Sequence, residues 1–100
     1  MNIDITNNLN GNTLTVTLAG RLDTTTAPEL EAALSKYIDF TNIDFDFTAL
    51  EYISSAGLRI LLSVQKTVNA AKGKMIVHHV SESIMEVFEI TGFADILTIE

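Results

Sequence analysis

Two adjacent serines, Ser54 and Ser55, stand where a predicted strand gives way to a predicted helix. A serine oxygen at a helix start accepts a hydrogen bond from one of the first-turn amides, which have no partner within the helix. The same position suits a phosphate, because free amides and the positive end of the helix dipole both face it. The two serines are therefore candidates for a helix cap, for a phosphorylation site, or for both.

The flanking residues carry the pattern of a strand followed by a helix. Alternating apolar and polar residues predict a strand over 43–48. From Gly57 onward, apolar residues recur every three or four positions, which places them on one helical face. These residues are Gly57, Ile60, Leu61, Val64, Val68 and Ala71. We expect a short turn around the serines and expect Gly73 to cap the end of the helix.

A β-hairpin is predicted before this unit. Ile3 and Ile5 alternate with polar residues in a first strand, and residues 13–18 alternate in a second strand. Asn10 and Gly11 lie between the two strands and favour a tight turn, because both residues tolerate positive φ. The N-terminal part of the chain is therefore predicted to pair with itself in antiparallel fashion.

Further helices and strands complete the chain. Pro28 suits the first turn of a helix whose predicted buried stripe is Leu30, Ala33, Leu34, Tyr37 and Ile38. A strand is predicted over 75–80, then a helix that Gly92 ends, then a short strand or tail segment over 96–99. The order β-β-α-β-α-β-α-β favours right-handed crossovers. We predict a single α/β domain over 1–100, with a mixed, largely parallel sheet, an N-terminal hairpin and helices packed against it.

Charge and composition argue against several kinds of function. The chain has 13 Asp and Glu against six Lys and Arg, a net charge of −7 and no cysteine. The clustered cations of a nucleic-acid-binding surface are missing, and an acidic surface disfavours anionic membranes. Disulfide and thiolate chemistry are excluded, and no apolar run is long enough to span a bilayer. The first residues lack the pattern of a signal peptide, so we expect a cytoplasmic protein.

Two stretches of the chain resemble the motifs of STAS domains (sulfate transporter and anti-sigma factor antagonist). Asp46-Phe47-Thr48, followed by Tyr52-Ile53-Ser54-Ser55-Ala56-Gly57-Leu58-Arg59, resembles the family signature. Gly20-Arg21-Leu22-Asp23 resembles the second motif of the family, at the end of the second strand. Length and predicted element order agree with the STAS fold over the whole chain. The resemblance implies a stand-alone anti-sigma factor antagonist.

The resemblance also implies a cycle of partners. Such an antagonist, when unphosphorylated, binds a serine kinase that doubles as an anti-sigma factor and so releases the sigma factor. The kinase uses ATP to phosphorylate a hydroxyl in the loop and thereby ends the interaction, and a serine phosphatase restores the active form. Magnesium and ATP belong to the kinase, so this chain is expected to need no cofactor and to have no enzymatic activity.

One departure from the family pattern decides which serine we favour. In the best-known pattern the hydroxyl residue next to glycine is modified, but here that position is Ala56. Another branch of the family reads isoleucine-serine-serine-alanine-glycine, and its acceptor is taken to be the second serine. The resemblance therefore implies Ser55 as the acceptor, with Ser54 as the alternative. The partner-binding residues it implies are Asp23, Ser54, Ser55, Ala56, Gly57 and Arg59. Asp46 is a further candidate for a place near this loop.

Other interpretations remain open at this point. The serines could form only a helix cap, and the domain could be a constitutive STAS interaction module that serves a transporter or a signalling scaffold.

A serine hydrolase lacks support, because no glycine-x-serine-x-glycine motif surrounds Ser55. A response-regulator receiver is disfavoured by the opening hairpin. His78 and His79 are neighbours on a predicted strand and should point to opposite faces, so we expect no shared metal site.

Overall fold

A computed structural model describes residues 1–8, 12–37 and 40–100 of the protein. The chain order is β1 (Asn2–Asn8), β2 (Thr13–Leu22), α1 (Ala27–Leu34), β3 (Asn42–Ile53), α2 (Ser55–Ala70), β4 (Met75–His78), α3 (Glu82–Thr91), a 3-10 turn (Phe93–Asp95) and β5 (Thr98–Ile99). The predicted order is confirmed, and the 3-10 turn is an addition to it. The predicted turn at Asn10 and Gly11 and the predicted burial of Ile38 fall outside the described residues.

The strands form one sheet in the order β1-β2-β3-β4-β5. β1 pairs with β2 antiparallel, and the other neighbours pair in parallel, which confirms the mixed, largely parallel sheet. Alternation along the strands buries one face of this sheet. That face carries Leu14, Val16, Leu18, Ile43, Phe45, Phe47, Met75 and Val77. The apolar residues of the helices pack against the same cluster, so the domain has two layers and the other sheet face is open.

Each helix follows from local sequence signals. α1 begins at Ala27 with Pro28 in its first turn. α3 begins after Ser81, whose side chain accepts a hydrogen bond from the backbone of Ile84, and ends at Gly92 with φ of 82°. α2 buries the residues Gly57, Leu58, Leu61, Val64, Gln65 and Val68. Ala71, which was predicted to lie on that face, is exposed, because the helix ends before it.

Both β2 and β3 extend further than their alternation predicts. β1 pairs with β2 only as far as Ala19, and β4 pairs with β3 only as far as Asp46. The pairing of β2 with β3 continues to Leu22 and Ile53 across two register shifts. Gly20 lies between these shifts with φ of 100°, a conformation that suits glycine. The last residues of both strands therefore form a two-stranded extension of the sheet.

The C-terminal end of α2 differs from its prediction. Lys72, and not Gly73, adopts the left-handed conformation, with φ of 61°. The backbone N–H of Gly73 donates to the carbonyl of Val68 at 2.8 Å, and that of Lys72 donates to Asn69 at 3.0 Å, which is the Schellman pattern. Gly73 is required for a different reason, because a Cβ there would overlap the carbonyl oxygen of Thr41.

Two substitutions at this helix end should have opposite effects. Lys72→Gly should raise the free energy of unfolding by about 0.5–1 kcal/mol, because glycine adopts positive φ without the Cβ penalty. Gly73→Ala should lower it by more than about 2 kcal/mol, because its methyl group would have to displace the Thr41 backbone. Urea unfolding of both variants would measure the two changes. A stabilising Gly73→Ala would contradict the assignment of roles.

Candidate functional site

The two serines have different roles at the start of α2. The side chain of Ser54 accepts a long hydrogen bond, 3.5 Å, from the backbone N–H of Gly57. The carbonyl of Ser54 accepts the first helical hydrogen bond from Leu58 at 2.9 Å. Ser54 is therefore the N-cap. Ser55 is the first residue of the helix, it is exposed, and its hydroxyl has no hydrogen bond to the described part of the chain.

The extension of β2 and β3 holds this loop in place. Leu22 pairs with Ile53 in the last register position, and the backbone N–H of Ser54 donates to the carbonyl of Leu22 at 2.9 Å. Gly57 then allows α2 to begin directly against both strand ends. A Cβ at Gly57 would come within 2.8 Å of the side chains of Leu22 and Ile53. The first turn of α2 and the end of β2 are therefore fixed next to each other.

Asp23 follows β2 and organises its own turn. Its Oδ1 accepts hydrogen bonds from the hydroxyl of Thr25 at 2.7 Å and from the backbone N–H of Thr25 at 3.0 Å. The backbone N–H and hydroxyl of Thr26 donate to the same oxygen, at 3.2 Å and 3.3 Å. The Thr25 hydroxyl is the main cause that lowers the pKa of Asp23 below its usual value of 3.8, while partial desolvation acts in the opposite direction. The carboxylate is thus kept ionised beside the serine loop.

Arg21 and Tyr52 add a cationic and aromatic pair that the sequence analysis did not single out. The two residues pair across β2 and β3, and the Arg21 guanidinium carbon lies 4.1 Å from the centre of the Tyr52 ring. Arg21 Nε also lies 3.8 Å from Asp23 Oδ2. Tyr52 is 40% exposed, so the pair forms part of the surface. Both residues stand in the two family-like motifs, but their contact depends on a register that the motifs do not reveal.

The structure brings most, but not all, of the predicted site residues to one surface. Ser55 and Arg59 are exposed, one helical turn apart, and Ala56 is half-buried. Gly57 is buried, so it supports the site by close packing and offers no side chain to a partner. Asp23 lies beside the loop through the pairing of β2 with β3. What these residues bind stays a prediction.

Asp46 does not lie near the serine loop, contrary to the prediction. It pairs with Thr17 and His78 inside the sheet, and β3 continues for seven more residues to Ile53. At the rise of an extended strand this is roughly 20 Å. The hydroxyl and backbone N–H of Thr48 donate to Asp46 Oδ1 at 2.6 Å and 2.9 Å, and they lower the pKa of Asp46. Asp46 is therefore a residue of the open sheet face.

The two histidines also differ from their prediction. β4 ends at His78, and His79 takes a positive φ of 59°, so strand alternation no longer applies to it. His79 Nδ1 lies 3.2 Å from Asp46 Oδ1, and His78 Nε2 lies 3.6 Å from Asp44 Oδ1. Both rings therefore pair with the same face of β3. No group of three acidic or histidine side chains in the described ranges could hold a metal ion.

Comparisons with known proteins agree with this geometry. The family model described as STAS domain matches residues 4–100. BtrV of Bordetella bronchiseptica, a candidate anti-sigma factor antagonist, is 36% identical over 84 residues, which cover 82% of this chain and 72% of that protein. The anti-sigma-B factor antagonist of Bacillus subtilis is 29% identical over 100 residues, which cover 99% of this chain and 92% of that protein.

A solved structure supports the fold. SpoIIAA, an anti-sigma factor antagonist, in its unphosphorylated form matches with a TM-score of 0.78 at 20% identity and covers 99% of this chain and 87% of its own. At this identity the likeness concerns the fold alone. In the described parts of this chain, no helix is both long and apolar enough to cross a membrane.

Replacing each serine by alanine should distinguish the side chain that caps α2 from the side chain that does not. Ser54→Ala should lower the free energy of unfolding by about 0.5–1 kcal/mol, because Gly57 would lose its side-chain acceptor. Ser55→Ala should change it by less than about 0.5 kcal/mol, because the Ser55 hydroxyl is exposed and has no hydrogen bond to any described residue. Chemical denaturation of both variants would measure the difference, and equal losses would contradict the assignment of the cap.

The Asp23 turn should respond to pH in a defined direction. Because the pKa of Asp23 is lowered by folding, its contribution to stability is present above the ordinary value of 3.8 and is lost as the pH falls through the lower folded value. Thr25→Val should raise the pKa of Asp23 toward 3.8, because the main hydroxyl donor disappears. Carboxyl NMR titration would measure this pKa. Thr24→Val is the matched control and should leave it unchanged.

Proposed function

This chain belongs to the STAS domain family, and we propose that it is an anti-sigma factor antagonist whose binding to an anti-sigma factor is switched by phosphorylation of Ser55. The observation that carries the proposal is the exposed hydroxyl of Ser55 at the start of α2, which has no hydrogen bond to residues 1–8, 12–37 or 40–100. The names of its relatives support the partner class, since BtrV and the Bacillus subtilis protein are described as anti-sigma factor antagonists. The proposed partner is an anti-sigma factor that is also a serine kinase.

Ser55 suits the acceptor role better than Ser54. The oxygen of Ser54 accepts from the Gly57 amide, and its residue is half-buried between β3 and α2. Phosphorylation of Ser54 would esterify the oxygen that caps the helix and would crowd the Gly57 amide. Ser55 is exposed in the first turn, and its hydroxyl has no hydrogen bond within the described residues, so a kinase can reach this oxygen without breaking a bond seen there.

The chemistry of the proposed cycle is supplied by the partners. The kinase transfers the γ-phosphoryl group of ATP to Ser55 Oγ, which loses its proton, and ADP leaves. A serine phosphatase then adds water to the phosphoserine ester, which returns serine and inorganic phosphate. In the described part of this chain, neither serine has a hydrogen bond to a histidine, which is the usual base of a serine nucleophile. We therefore assign the chain a regulatory, non-catalytic role.

A phosphate at Ser55 would change charge more than shape. It adds close to two negative charges at the positive end of the α2 dipole, where an anion is tolerated. The effect would fall on the partner, which would have to bury a dianion against a surface selected for a neutral hydroxyl. A desolvation cost of roughly 3 kcal/mol would raise the dissociation constant more than a hundredfold. The loss of affinity needs no unfolding of the loop.

Site-resolved mass spectrometry of the protein from its native cells tests the modification. We expect phosphate on Ser55, at an occupancy that changes between growth and stress, and none on Ser54. Phosphate on Ser54 alone would contradict the choice of acceptor. If neither serine is modified in any condition, the chain would instead be a constitutive interaction module, and the Ser55 hydroxyl would have no role as a switch.

Binding measurements on matched variants test the switch itself. The purified cognate kinase should bind wild type and Ser55→Ala with similar affinity, and should bind protein phosphorylated on Ser55 at least about a hundredfold more weakly, for the desolvation reason above. Ser63→Asp is the control, because Ser63 is exposed on the same helix two turns away and adds charge outside the loop. Calorimetry would measure the affinities. Unchanged affinity after phosphorylation of Ser55 would overturn the proposal.

A further inference from the structure

Two exposed isoleucines flank the turn that ends α3. Ile90 is 86% exposed and Ile96 is 48% exposed. Of the large hydrophobic side chains in the described residues, Tyr52 is the other exposed one, and it belongs to the serine site. Gly92 turns the chain between the isoleucines, and a Cβ there would meet nothing within 4 Å. Both the backbone of this turn and the two isoleucine side chains are therefore exposed.

Acidic residues are frequent in the segment that contains these isoleucines. The residues after Lys74 include five of the 13 acidic residues and none of the six Lys and Arg. Glu86 lies three positions before Glu89 and four before Ile90, so it shares an exposed face of α3 with each of them, and Glu89 directly precedes Ile90. We refer to this surface as the Gly92 corner. It comprises Glu86, Glu89, Ile90, Asp95 and Ile96, all of them exposed.

The charges of the Gly92 corner are uncompensated within the part of the chain that the structure describes. Neither Glu86 nor Glu89 forms an ion pair there. Like charges three positions apart repel each other, and Glu89 lies in the last turn of α3, where the helix dipole disfavours an anion. The last turn of α3 has no basic residue. Folding alone therefore gains nothing from this arrangement, whereas a cationic partner would relieve it.

The Gly92 corner lies at the opposite end of the sheet from Ser55. β3 and β4 are parallel, so α2 and α3 both begin at the same end. The ten residues of α3 span about 15 Å and return the chain toward β5, which is parallel to β4. Ile90 is near the end of α3 and so lies toward the starting ends of the parallel strands. A partner at this corner does not need the serine loop.

We propose that the Gly92 corner is a docking surface for a second partner protein, one that offers an apolar pocket for Ile90 with Lys and Arg at its rim. Charge complementarity selects this occupant, because a second copy of the chain would oppose acid with acid, and an anionic membrane would do the same. The separation from Ser55 lets both surfaces be occupied together. The proposal does not depend on phosphorylation of Ser55.

Photocrosslinking from position 90 tests the proposal in the native cell. The photoreactive residue p-benzoylphenylalanine replaces Ile90 in the full chain, and adducts are identified by mass spectrometry. We expect an adduct with one other protein, at an apolar residue that Lys and Arg surround. The double variant Glu86→Lys and Glu89→Lys should lower the adduct yield by at least about tenfold, as expected for reversal of complementary charge.

Matched variants make the outcomes decisive. Glu29→Lys with Glu31→Lys changes the net charge equally on the exposed side of α1 and should leave the yield unchanged. Ser55→Asp should also leave it unchanged, because the serine loop is at the other end of the sheet. No adduct, an adduct only between copies of this chain, or a yield insensitive to reversal of Glu86 and Glu89 would overturn the proposal. Loss of the adduct in Ser55→Asp would overturn the independence of the two surfaces.

Discussion

The parallel pairing of β2 with β3 continues past both of their neighbouring strands, and the candidate site depends on that continuation. Leu22 and Ile53 form its last register pair, and the Ser54 amide adds one more hydrogen bond to the carbonyl of Leu22. Two chain segments whose last paired residues, Leu22 and Ile53, are 31 positions apart in sequence thus end side by side. Without this extension, the Asp23 turn and the serine loop would share no common support.

Within the site, groups that stabilise the local backbone lie next to groups that are exposed at the surface. Ser54 caps the helix, and the exposed hydroxyl of Ser55 has no hydrogen bond in the part of the chain that the structure describes. Asp23 divides its carboxylate in the same way, because Oδ1 accepts the donors of its own turn while Oδ2 faces Arg21 at 3.8 Å. In both cases one oxygen fixes the local backbone, and the other oxygen takes no part in that turn. A rigid turn and an accessible polar group are therefore compatible within very few residues.

The sequence predicted the elements well where a single periodicity governed them. The buried faces of β2 and β3, the helix after Ser54 and the end of α3 at Gly92 all follow from alternation, helical spacing or glycine. The site residues Ser54, Ser55 and Asp23 came from short motifs, and the structure places them together through β2 and β3. The parallel order of the two strands, which the alternation of elements implies, puts these residues at the same end of the sheet, and the extended pairing of β2 with β3 brings them together.

The misses arose where tertiary contacts overrode local preference. The strand ends were hidden because two register shifts break the alternation that marks a strand. Lys72 adopts the left-handed conformation that glycine favours, because Gly73 is needed where the backbone of Thr41 comes close. Asp46 was placed near the serine loop because its motif gives no measure of how far β3 continues. His79 left the strand pattern through its own positive φ.

Gly57 leaves no gap between the first turn of α2 and the two strand ends. A surface built in this way has little conformational freedom to lose when a protein binds to it, so the entropic cost of association falls mainly on the partner. We therefore expect its backbone to keep the same shape when a partner binds. The association rate would then depend on diffusion and charge, because no rare conformation has to form first. Differences in affinity among partners of this surface would lie chiefly in the dissociation rate.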